Sequence, residues 1–360
     1  MTQPTTMQAM VTMGHGDLDQ MVWHEDWPCP TPASGEVLIK VGACGLNNTD
    51  VNTRSGWYSK TVSDATTGGA FEEVGEDDPT WGGAPLVFPR IQGADVCGQI
   101  VAVGEGVDPR RIGERVITDC WLRDPAEPLN KDKTGYFGSE RDGGFAQYAT
   151  IPAQNAIAID SPLSDAELAT FSCSYSTAEG MLTRAQVTEA DTVLVPGASG
   201  GVGGALVQLA KRRGARVIAL ASEAKHGDVA ALGPDRILPR APDNLRAALG
   251  DEKITVVADV VGGPYWPTLI DILERGGRYT CSGAIAGPMV EFDLRTFYLR
   301  DLTFTGSTVI DPQVMQNLVR YIEAGEVKPA LAATFPLSEL HAAQTAFIAK
   351  KHTGNIVVIP

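Results

Sequence analysis

The 360-residue sequence predicts an α/β fold in two domains, a mostly β part followed by a part built on a parallel sheet. Three observations predict it. The length is more than twice the roughly 150 residues of an ordinary domain. Short β-like runs with Gly and Pro punctuation continue to about Ala158. After Ser164, helical stretches alternate with apolar runs at the spacing of βαβ units.

The elements follow in order. Glu36-Val37-Leu38-Ile39-Lys40-Val41 alternates in the manner of a half-buried strand. Asp165-Ala166-Glu167-Leu168-Ala169 reads as a helix start, and Thr192 to Val195, Arg216 to Leu220 and Val256 to Val261 read as buried parallel strands. Near the end, Val314, Leu318, Val319 and Ile322 share a helical face that Gly325 stops, and Asn355 to Ile359 reads as a last strand. These final elements are expected to pack on the first domain, giving domains 1–160, completed by 312–360, and 161–311. Two stretches interrupt the pattern, Ser59 to Phe88 and Trp121 to Asp142. The first carries Asp64, Glu72, Glu73, Glu76, Asp77 and Asp78 with no basic residue among them. It reads as a functional flap, an interface or a solvated insertion.

Composition excludes several classes. Hydrophobic residues make up 43% and charged residues 20%, which rules out a disordered or fibrous chain. With 29 basic against 44 acidic residues the formal charge is −15, so the surface repels phosphate backbones and anionic lipid, and no nucleic-acid or membrane partner is expected. No apolar run approaches the roughly 18 to 20 residues of a membrane span, and Met1 to Met13 lacks the features of a leader, so a cytoplasmic protein is expected. The six cysteines never form a Cys-x-x-Cys pair, which argues against a disulfide framework or a four-thiolate zinc lobe. The five histidines have no ligand spacing and are expected at the surface.

The strongest local signal is Val193-Leu194-Val195-Pro196-Gly197-Ala198-Ser199-Gly200-Gly201-Val202-Gly203, followed by an amphipathic stretch from Ala205. A strand, a glycine turn and a helix are what a pyrophosphate needs: glycines let backbone amides approach the oxygens, and the helix N-terminus supplies N–H donors and a favourable dipole. The reading is dinucleotide binding by Gly197, Ser199, Gly200, Gly201 and Val202; the bland alternative is a tight turn without ligand. At the end of the next strand stands Ala221-Ser222-Glu223-Ala224-Lys225. Ser222 and Lys225 suit a ribose 2′-phosphate, so NADPH is expected over NADH. An inward Glu223 would favour NADH, and Ser222 and Lys225 are otherwise a helix cap and a surface lysine.

Cys44-Gly45-Leu46-Asn47-Asn48-Thr49-Asp50, Arg54-Ser55-Gly56-Trp57-Tyr58, the glycine turn, Asp259-Val260-Val261-Gly262-Gly263 and Asp301 to Ser307 together resemble the medium-chain dehydrogenase/reductase superfamily, within it the zinc-independent quinone oxidoreductase branch. The likeness covers nearly the whole chain. It implies a GroES-like catalytic domain built from both chain ends, an inserted Rossmann domain, a cofactor cleft between them and a homodimer. It adds Gly262, Gly283 and Ser307 to the cofactor residues, sets Asn47 beside the nicotinamide ribose with Thr177 near the same ring, and puts Tyr58 at the substrate mouth as an oxyanion donor or a packing lid. In the zinc-holding relatives the ligand positions match Asn47, Ala94 and Cys173 here. One thiolate with an amide and a methyl cannot grip zinc, so no metal is expected. An unfamiliar site from Asp50, Asp95 and Cys173 is the alternative.

Without a Lewis acid, a conjugated acceptor is the accessible substrate, because hydride added at carbon sends negative charge to an oxygen that hydrogen-bond donors can stabilise. The expected activity is NADPH-dependent reduction of a quinone or enone. A zinc-free alcohol or aldehyde dehydrogenase, and a non-catalytic NADPH-binding module, are the alternatives. Asp50 is expected to pair with Arg54 and hold the site loop, and Cys173 to be either a buried small hydrophobe or a target for electrophiles. An acidic flap lining the entrance would disfavour acyl-CoA, while Trp57, Trp81 and Trp121 would offer apolar walls.

Overall fold

The computed structural model describes residues 4–69, 71 and 85–360. The expectations for residues 72–84, including the acidic run and Trp81, lie outside the described residues. The chain divides into two compact units. One is Met1–Val62 with Thr67–Cys173 and Asp311–Pro360; the other is Ser63–Thr66 with Ser174–Ile310.

The first unit is built on a seven-stranded sheet in the order Leu331–Pro336, Asn355–Ile359, Glu36–Gly45, Asp95–Val103, Arg115–Thr118, Ala156–Ala158, with Tyr148–Pro152 also pairing to Glu36–Gly45. The strand expected to be half-buried is covered on both faces at Val37, Leu38 and Ile39. The short helix Asp165–Leu168 lies against it, so close that a Cβ at Gly42 would stand 2.0 Å from Asp165 Oδ2. That helix starts where the sequence places it, because Ser164 and Glu167 exchange hydrogen bonds as a capping box. Helix Pro312–Glu323 buries Val314, Leu318, Val319 and Ile322, and Gly325 takes a left-handed φ of 67° just beyond it. The stretch from Trp121 to Asp142 is not wholly irregular: Trp121–Leu122 pairs with Gly135–Tyr136, and Trp121 packs edge-on against Tyr136.

The second unit holds six parallel strands in the order Arg236–Pro239, Arg216–Ala221, Thr192–Val195, Ile254–Asp259, Leu273–Cys281, Thr303–Gly306. In chain order this reads 3-2-1-4-5-6, the doubly wound arrangement whose ligands bind at the carboxyl ends of the strands. Leu194, Ile218, Leu220, Val257, Trp266 and Tyr279 form its core. The run expected to extend to Val261 ends at Asp259, whose carboxylate accepts the N–H groups of Val261 at 2.7 Å and Gly262 at 3.2 Å and so turns the chain out of the ladder. Among the described residues no helix is long and apolar enough to cross a membrane.

Candidate functional site

In the first unit the helix Asn48–Ser55 positions three of the expected residues. Asn47 is its N-cap, and the Asn47 N–H donates to Asp50 Oδ2 at 2.8 Å. The other carboxylate oxygen of Asp50 accepts the Gly93 N–H at 3.2 Å. Both oxygens are thus held by backbone donors, and the expected pairing with Arg54 does not form. Arg54, fully buried, instead donates to three uncharged acceptors, Gly16 O, Gly68 O at 2.9 Å and Gln344 Oε1 at 3.2 Å. One turn apart on the helix, the two side chains could meet, but both Asp50 oxygens are already taken by the Asn47 and Gly93 N–H groups, and Arg54 reaches acceptors on the 14–16 loop, Gly68 and the helix Leu340–Ile348.

A second carboxyl completes the cluster. Asp95 Oδ1 accepts the Cys173 N–H at 2.8 Å. Burial pushes Asp95 up to about 8; the Asn47 amide and the Cys173 N–H oppose this, and Asp50 adds to it. Asp50 is pushed up to about 7, again by burial, against the pull of the Asn47 and Gly93 N–H groups. Asn47 Nδ2 is buried and, although it lies near Asp95, makes no hydrogen bond of ordinary geometry. Tyr58 is half-buried and packs edge-on against Trp57. Burial raises its phenol well above the usual value, while hydrogen bonds with Asn52 and Thr49 side chains pull it down. Cys173 is half-buried rather than buried. Burial chiefly raises Tyr136, Cys120 and Cys44, and the nearby acids and thiols add to the effect.

At the positions that the resemblance matches to zinc ligands, Asn47, Ala94 and Cys173 offer an amide, a methyl and one thiol, a poor donor set for zinc. None of the five histidines is buried: His341 is exposed, and His15, His24, His226 and His352 are half-buried, each with a ring contact or a backbone oxygen as partner.

In the second unit the glycine turn leaves strand Thr192–Val195 with Gly197 at φ 64° and enters helix Gly201–Arg212 with no side chain capping its N-terminus. A Cβ on Gly203 would stand 2.2 Å from Gly197 O, so the turn closes only without a side chain there. Ser199, Gly200, Gly201 and Val202 form the open face of this turn. Ser222, Gly262, Gly283 and Ser307 all follow the carboxyl ends of strands in the same sheet, and Ser307 Oγ is buried without a partner. These residues fit a dinucleotide: bare backbone at the turn, free donors at a helix start, and loops gathered at one edge of the sheet. Thr177 lies half-buried on helix Ser172–Arg184.

The nucleotide end carries one residue missed in the sequence. Ala221 pairs with Pro239 in the parallel register, which sets Arg240 beside Ser222 at the ends of neighbouring strands. Lys225 is half-buried, and burial followed by the nearness of Arg240 lowers its proton affinity. Glu223 points to solvent. Arg240 was legible only by counting one residue past the third strand. Asp95 was named only as a metal alternative, and its contact with Cys173 has no local signal.

Comparison with known proteins agrees with this organisation. The pattern of an alcohol dehydrogenase GroES-like domain matches residues 33–161, and that of a zinc-binding dehydrogenase matches residues 201–324. A crystal structure from Sinorhizobium meliloti 1021, provisionally assigned as an alcohol dehydrogenase, is 46% identical with a TM-score of 0.90, covering 99% of this chain and 98% of that one. An acryloyl-coenzyme A reductase from Metallosphaera sedula is 28% identical across 98% of this chain and 99% of its own. A chloroplastic NADPH-dependent alkenal/one oxidoreductase from Arabidopsis thaliana is 26% identical across 99% of this chain and 80% of its own.

Proposed function

We propose, since the chain belongs to the medium-chain dehydrogenase/reductase superfamily of nicotinamide-dependent oxidoreductases, that it reduces a quinone or an α,β-unsaturated carbonyl compound with NADPH and without a metal. The observation that carries this reading is the Asn47 amide, buried beside Asp95 at a position where zinc-holding relatives have a ligand.

Residues 161–311 serve as the nucleotide-binding module, and residues 1–160 with 312–360 serve the acceptor. The backbone of Gly197, Ser199, Gly200, Gly201 and Val202 holds the pyrophosphate, with Gly262, Gly283 and Ser307 lining the same strand ends. Ser222, Lys225 and Arg240 hold the 2′-phosphate, a dianion that two cations and a hydroxyl match. When bound, the cofactor supplies a hydride. Charge then develops on the acceptor's oxygen, and the first unit meets it with organic donors: the Asn47 amide, the Tyr58 phenol and the Asp95 carboxyl, which burial keeps largely protonated near neutrality. Asp50 holds Asn47 in place through its N–H, and Thr177 sits near the nicotinamide. The exposed Leu294, Tyr298 and Leu299 beside the edge strand Thr303–Gly306 support a homodimer joined at that edge.

The experiment is NADPH absorbance followed against quinones, enones, acryloyl-coenzyme A, aldehydes and alcohols. Turnover of conjugated acceptors that falls at least about tenfold in N47A supports the reading. A zinc-free alcohol dehydrogenase would instead reduce NADP+ with alcohols and leave enones untouched, an outcome that the likeness to the Sinorhizobium protein keeps in the panel.

A further inference from the structure

We propose that the main-chain N–H of Thr66 positions the loop 282–287 for the cofactor. The proposal rests on the reading above that Gly262 and Gly283 line the cofactor site. After strand Leu273–Cys281 the chain has no regular structure and leans on the neighbouring loop. Ala286 N–H donates to Val261 O at 2.8 Å and Gly263 N–H to Gly287 O at 3.0 Å, while the bonds from Ser282 to Asp259 O and from Ile285 to Val260 O are long, at 3.3 and 3.4 Å. The two loops touch backbone to backbone, since a Cβ on Gly263 would stand 2.5 Å from Ala286 O. One acceptor of the loop, Ile285 O, takes the Thr66 N–H at 3.0 Å.

Ser63–Thr66 is the one piece of the first 173 residues grouped with the second unit. It belongs to the stretch Ser59 to Phe88, which the sequence leaves open between a functional flap, an interface and a solvated insertion, and its hydrogen bond is to the loop that carries Gly283. With long bonds at Ser282 and Ile285, the part of the loop that carries Gly283 depends on its remaining contacts, so the Thr66 donor restricts where Gly283 can lie. Coupling of this kind is reciprocal: a cofactor that orders the loop must also protect the Thr66 amide.

The test uses the full-length protein, with NADPH affinity read by fluorescence and loop order by hydrogen exchange. T66P, which lacks the N–H, should weaken NADPH about fivefold, speed exchange at Gly263 and Ala286, and change kcat little. T66A, which keeps the N–H, should restore both readouts. In the wild type, NADPH should slow exchange across residues 63–66, a measurement that decides the matter even when T66P does not fold. A folded T66P with wild-type affinity, or exchange at 63–66 indifferent to NADPH, overturns the proposal. G283V separates the two levels. If G283V keeps NADPH affinity, the cofactor reading of this loop fails; if G283V loses affinity while T66P keeps it, the role of Thr66 alone fails.

Discussion

The main-chain N–H of Cys173 donates to Asp95 Oδ1 at 2.8 Å, tying the start of helix Ser172–Arg184 to a buried acid 78 positions earlier. Asp95 and Asp50 are raised from 3.8 to about 8 and about 7, with burial the main cause. Their neutral forms therefore favour the folded state. That stability is complete below about pH 4, where the unfolded chain is also protonated, and is lost as pH rises through 7 to 8. In D95N the loss between pH 5 and pH 8.5 should shrink by an amount on the order of a few kcal/mol, read from urea midpoints. Parallel pH dependences for D95N and wild type would refute the assignment.

At the nucleotide end, K225E and R240E should each weaken NADPH more than NADH by roughly 1 to 3 kcal/mol, the scale of a charge-assisted hydrogen bond. Titration of both cofactors against each variant tests it. Equal losses for the two would move the 2′-phosphate away from these residues.

Gly203 faces a tighter constraint. Its substitution by Ala places a methyl 2.2 Å from Gly197 O, which the turn cannot absorb without moving the first helical N–H groups. Loss of NADPH affinity by at least about tenfold is expected, with destabilisation of about 1 to 3 kcal/mol. A G203A protein that binds normally would mean that this turn does not cradle phosphate.

Metal content bears on the acceptor site. Protein purified without chelators should contain far less than one zinc per chain by elemental analysis, and EDTA should leave the rate with enones unchanged, because an amide, a methyl and a thiol are poor zinc donors. Stoichiometric zinc that is lost together with activity would require a different catalytic scheme.

Arg54 is a full positive charge buried among carbonyls, with burial lowering its proton affinity and Asp17 and Asp19 nearby partly offsetting this. Replacement by Met leaves Gly16 O, Gly68 O and Gln344 Oε1 without their donor. R54M should lose about 2 to 4 kcal/mol by chemical denaturation. A neutral effect would show that water replaces the guanidinium.

The elements legible in the sequence are those whose cause is local. The Ser164 to Glu167 cap, the glycine turn, the face of Val314, Leu318, Val319 and Ile322, and the strands of the parallel sheet each follow from spacing that one segment carries. The resemblance supplied the fold. What escaped depends on closure over long separations. Nothing near Asp95 announces Cys173, nothing near Thr66 announces Ile285, and Arg54 was matched to Asp50 by opposite charge although backbone amides already occupied that acid. Charge sign is a weak guide where neutral donors and acceptors can satisfy a buried ion.

The strand Asn355–Ile359 sits between Leu331–Pro336 and Glu36–Gly45 in the first sheet. During translation the Cys44–Gly45 end of Glu36–Gly45 must therefore wait for a neighbour that emerges from the ribosome only after the whole second unit. That second unit is nearly continuous in sequence and can settle while synthesis proceeds. The first sheet spends the interval with that strand end unpaired, so chaperone demand and truncation sensitivity in this protein should concentrate there.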